Sequence, residues 1–88
     1  MFRAMPRSPA SALAELYKAL LSEGPLDVPA CRRLALRATG PIKDPSAAEI
    51  LHEELCAIID QHADDPDHAQ ERFAFLRPAI ESLASAPH

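Results

Sequence analysis

Glycine is scarce in this chain of 88 residues. There are two, Gly24 and Gly40, and a proline follows each. A phosphate-cradling loop needs several glycines at fixed spacing, so that chemistry is excluded. Both glycines instead read as helix stops. Residues with β-branched side chains are also few. Val28, Thr39 and five isoleucines are the whole supply, and no apolar–polar alternation runs through them. A sheet built from that supply is not expected. Cysteine stops at two, Cys31 and Cys56, 25 positions apart with no CxxC pair. That spacing supplies no disulfide framework, and the expectation is reduced thiols in a cytoplasmic setting. No apolar run approaches the roughly 18 residues of a membrane span. Met1 to Ala10 lacks the apolar core of a secretion signal.

Positive charge is in short supply as well. The net charge is −4, which argues against general binding to nucleic acid or to an anionic membrane. The charge is unevenly spread. Residues 1–44 carry seven Lys/Arg against four acids, giving +3, whereas residues 45–88 carry two Arg against nine acids, giving −7.

What is plentiful is alanine, leucine and helix punctuation. Apolar residues make up 48% of the chain, so it is not disordered by composition. An all-α fold follows, with a compact four-helix bundle over about 9–23, 28–39, 45–63 and 66–84. Residues 8–84 read as a single helical domain, residues 1–7 as a flexible arm carrying Phe2 and Met5, and residues 85–88 as a tail. Ser8-Pro9 opens the first helix, whose stripe is Leu13, Leu16, Tyr17, Leu20 and Leu21. Asp27 caps the second, which turns Cys31, Leu34, Ala35 and Ala38 inward and leaves Arg32, Arg33, Arg37 and Leu36 elsewhere.

Asp44-Pro45 starts the third helix, the element around which the bundle is organised. Stepping ~100° per residue puts Ala47, Leu51, Leu55, Ile58 and Ile59 on a main apolar face. Ile50 and Ala57 form a smaller face, and Glu54 and Gln61 mark the seam between the two. Cys56 falls mid-way along the polar side, with Glu49, His52, Glu53 and Asp60. A buried Glu54 would need a mate, for which Arg33 or Arg37 is the expectation. Asp65-Pro66 opens the fourth helix, with Ala69, Phe73, Leu76, Ile80 and Leu83 inside. Pro78 is expected to kink it, and Phe75 and Ala79 lie beside the main stripe.

Catalytic and metal signatures are thin. His52 and Cys56 share a helix face at i and i+4, but a zinc site needs a third and fourth convergent ligand. The acids around Cys56 outnumber its one histidine, so a low-pKa thiol is not expected. The Asp64–Asp67 run lacks the glycine and closing glutamate of a calcium loop. A helix-turn-helix is disfavoured by the acidic outer face of the third helix. No cofactor and no catalytic residues are expected. The surplus of apolar side chains off the main stripes points to a non-enzymatic protein-interaction module: an adaptor, a small subunit, an inhibitor of a larger partner, or a homodimer. The candidate contact residues are Ile50, Glu54, Ala57, Phe75, Ala79, Leu36, Arg33 and Arg37. The alternative is a metal- or thiol-based sensor using His52 and Cys56.

Overall fold

Three of the helices begin on an aspartate that serves the orphan amides of the first turn. Asp27 Oδ1 accepts from Ala30 N at 3.3 Å, Asp44 Oδ1 from Ser46 N at 3.0 Å, and Asp65 Oδ1 from His68 N at 3.1 Å. Proline stands in the first turn after each cap, where a missing N–H leaves nothing unsatisfied. The computed structural model describes residues 9–84. In it the chain forms α1 (Pro9–Leu21), α2 (Val28–Thr39), α3 (Pro45–Gln61) and α4 (Pro66–Ala84). The expected arm with Phe2 and Met5, the Ser8 cap and the tail lie outside the described residues.

The bundle closes as a ring. α1 packs on α2, α2 on α3, α3 on α4, and α4 back on α1, with a smaller α2–α4 contact across the middle. The core fills from α1 with Leu13, Leu16 and Leu20, from α3 with Leu55, Ile58 and Ile59, and from α4 with Phe73 and Ile80. Burying each of these side chains is worth ~1.5–3 kcal/mol. α2 contributes small groups (Cys31, Ala35, Ala38), which let its neighbours approach closely. Phe73 stacks on Tyr17, ring centroids 5.7 Å apart and planes 12° from parallel.

Several boundaries and burials differ from expectation. α1 ends at Leu21, two residues early. Ser22 N turns back to Ala19 O at 3.2 Å, and the Ser22 hydroxyl donates to Lys18 O at 3.0 Å. Gly24 then takes the left-handed conformation, φ 90°. α3 ends at Gln61, and residues 62–64 form a turn. The fourth helix, expected to kink at Pro78 but not to divide there, is a single helix from Pro66 to Ala84. Leu21 and Leu83, expected inside, are exposed, while Ile42, expected only to bridge, is buried. Among the described residues no helix is long and apolar enough to cross a membrane.

Candidate functional site

The connection between α3 and α4 is four residues, 62–65, so the two helices fold back as an antiparallel pair. Their side chains confirm the register. Gln61 Nε2 donates to His68 Nδ1 at 3.1 Å, and further along Arg72 Nη2 donates to Glu54 Oε1 at 3.2 Å. Arg72 Nη1 also donates to Gln61 Oε1 at 2.6 Å. The Glu54/Gln61 seam is therefore held by one arginine from α4. This corrects the expected mate of Glu54, since Arg33 and Arg37 lie on α2, exposed and without an ion pair among the described residues. Glu54 is also not buried: its side chain is 45% exposed and that of Arg72 33%. A pair so wetted contributes little to stability, ~0.2–1 kcal/mol. Its effect is on shape, because it fixes one wall of the cleft between the helices.

That cleft is a shallow groove of about 500 Å³, lined by Glu54, Ile58, Glu71, Arg72, Phe75 and Leu76. Ile58 is buried and forms the apolar floor. Phe75 stands at the edge with 88% of its surface exposed. Ala79 lies one turn further along α4, also exposed. On α3, Ile50 is 61% exposed and Ala57 is exposed. Two of the candidate residues, Glu54 and Phe75, thus line the groove itself. Ile50 and Ala57 share the helix stripe of Glu54 at i, i+4 and i+7, and Ala79 extends that of Phe75. The remaining three belong elsewhere: Leu36, 61% exposed, and Arg33 and Arg37 all project from α2.

Cys56 is not on the wet side. Arg32 of α2 reaches across to Asp60 of α3, donating to both carboxylate oxygens at 3.0 and 3.1 Å, and this closes the α2–α3 seam over Cys56. The thiol is half-buried, with Sγ 3.8 Å from His52 Nε2. Desolvation pushes its pKa up, and nearby Asp60 and Glu53 add to the rise while Arg32 opposes it. Cys31 is also raised, by burial and by Asp27. Among the described residues no group of three or more His, Cys, Asp or Glu converges, so His52 and Cys56 have no third donor beside them.

His62 is where sequence reasoning missed most. It caps α3, is 7% exposed, and its Nε2 lies 2.7 Å from the Leu20 carbonyl at the end of α1. Gln70 Nε2 donates to the same oxygen at 2.9 Å. Two further depressions flank the loop after α1 and share Gly24, His62 and Pro66. No family model matches the chain, and neither a curated protein nor a solved structure does. Arg72, Glu71, Ile58 and Leu76 are the groove residues that the sequence did not single out as a site. The signal for Arg72 was present: an antiparallel α3–α4 pair with a short turn puts the middle of α4 opposite Glu54.

Proposed function

We propose that this chain is a non-enzymatic docking module that presents the α3–α4 groove to another protein surface. The observation that carries the reading is Phe75. A phenylalanine left in water forgoes the ~1.5–3 kcal/mol that burial would return. Here it stands at the edge of a groove with an apolar floor, and Ile50, Ala57 and Ala79 are exposed on the same two helices. Single exposed apolar residues are ordinary, but several on the two helices that wall a groove favour a contact surface. Aromatic side chains seated in such clefts dominate contact energies. The Glu54–Arg72–Gln61 network keeps the wall in place before any partner arrives, which lowers the ordering cost of docking. The sensor reading has no comparable support, because no third donor joins His52 and Cys56 among the described residues and burial raises the pKa of the thiol.

The test compares wild type with Phe75→Asp, both purified from the native host without harsh washing. Phe75 makes few packing contacts, so the variant should fold with an unchanged thermal midpoint. The wild type is expected to run heavier than one chain, and the variant as a monomer. A wild type that is monomeric and free of any bound protein contradicts the reading.

A further inference from the structure

We propose that the occupant of the α3–α4 groove is a second copy of this chain, which seats the Arg33, Leu36 and Arg37 face of its α2 there. This rests on the docking reading above and names its partner. Arg33, Leu36 and Arg37 stand at i, i+3 and i+4, so they share one face of α2. Leu36 is 61% exposed. Arg32, Arg72 and Arg77 each hold a carboxylate, whereas Arg33 and Arg37 hold none among the described residues. The α2 face is thus an apolar anchor between two unspent positive charges.

The groove presents the complement. Its one cation, Arg72, is already bonded to Glu54. Glu71 lines the groove, is exposed, and has no ion pair among the described residues. With Glu54 and Glu71 the groove carries two carboxylates against one arginine beside its apolar floor of Ile58, and a leucine accompanied by two arginines matches it in both respects. The charge map of the chain has the same sense, +3 for residues 1–44 and −7 for residues 45–88. The two faces cannot meet within one chain. Arg33 and Arg37 point away from the buried stripe of α2 (Cys31, Ala35, Ala38), and the groove lies between α3 and α4. The contact is heterologous, head to tail, so each docked pair leaves one groove and one α2 face free.

Sedimentation over a concentration series tests this on the full chain. Wild type is expected to associate reversibly, more weakly as salt shortens the reach of the charges. Arg33→Glu/Arg37→Glu, Glu71→Arg and Phe75→Asp should each weaken self-association by about tenfold or more. Leu36→Ser should do the same and serves in place of the arginine pair if that variant misfolds. Mixing Arg33→Glu/Arg37→Glu with Glu71→Arg should restore association, because the intact groove of one variant meets the intact α2 face of the other. A wild type that stays monomeric to about 1 mM, the limit of useful affinity, overturns the proposal. So does an unchanged affinity in the arginine variant. If wild type is monomeric yet Phe75→Asp strips a different protein from material purified in the native host, the second copy is wrong and the docking reading stands. If neither association exists, both fail.

Discussion

The Leu20 carbonyl is one of the last four of α1 and has no partner within its own helix. His62 and Gln70 both reach it, from 42 and 50 positions away along the chain. A carbonyl only accepts, so His62 Nε2 carries the proton. His62→Ala removes one of the carbonyl's two donors and is expected to cost ~0.5–1.5 kcal/mol, the range for a single hydrogen bond whose acceptor keeps another partner. Gln70→Ala alone should cost less, because His62 remains. The double variant should lose more than the two single losses added, since each donor covers for the other. Denaturant midpoints of the four proteins check this; simple additivity would contradict it. The role of His62 was legible only in part. It stands four after Ile58 and seven after Leu55, in line with the core stripe, but periodicity says nothing about a carbonyl delivered by another helix. The cysteines give a pH prediction at the same scale. Both thiols have pKa values raised by burial, so the folded chain holds their protons more tightly than the unfolded chain does. Stability is then intact below the unfolded thiol pKa and is lost as pH rises through the folded values. Alkaline unfolding should move to higher pH in Cys31→Ala relative to its own neutral-pH stability. At neutral pH Cys56 should be alkylated more slowly than a free cysteine, and Cys31 only on unfolding. Rapid labelling of native Cys56 would refute the desolvated environment.

At the scale of elements, helix starts were legible and side-chain neighbourhoods were not. Asp27, Asp44 and Asp65 act locally, within three residues of themselves, so the sequence contains their whole environment. α3 shows the limit. Its periodicity correctly separated the Glu54/Gln61 seam from the main face. It could not say how the helix is turned between its neighbours. Arg32 from α2 and Arg72 from α4 decide that, and they draw Cys56 under one seam and Glu54 along the other. The outward sector left between them carries Ile50, Glu53 and Ala57. α4 supplies a prediction. Pro78 lies inside the helix and is exposed. It donates no N–H to the Ala74 carbonyl, and a proline at a helix interior costs ~3 kcal/mol relative to alanine. Pro78→Ala should therefore raise stability, by about 1–3 kcal/mol. Thermal unfolding reads it, at roughly 4–8 °C per kcal/mol for a chain of this size. A lowered midpoint would mean that the packing of Ile80 depends on the proline.

At the scale of the whole molecule, the fold uses most of its leucines and isoleucines inside and leaves a few conspicuously outside. Leu36, Ile50 and Phe75 are each more than half exposed, and none is needed to close the ring of helices. The off-stripe positions of these three were readable from spacing alone. Their division into an acidic groove and a basic face was not, because it depends on which arginines the other helices occupy. Replacing Phe75 should leave folding stability within ~0.5 kcal/mol, as for surface positions generally, while removing association. Docking through the α3–α4 groove requires that Phe75 touch another chain. Incorporating p-benzoylphenylalanine at position 75, irradiating in the native host, and identifying the adduct by mass is the direct measurement. One dominant cross-linked species is expected, lost when the groove wall is changed by Glu71→Arg. A diffuse smear of adducts, or none above the level seen with the same probe at exposed Ser22, would contradict it.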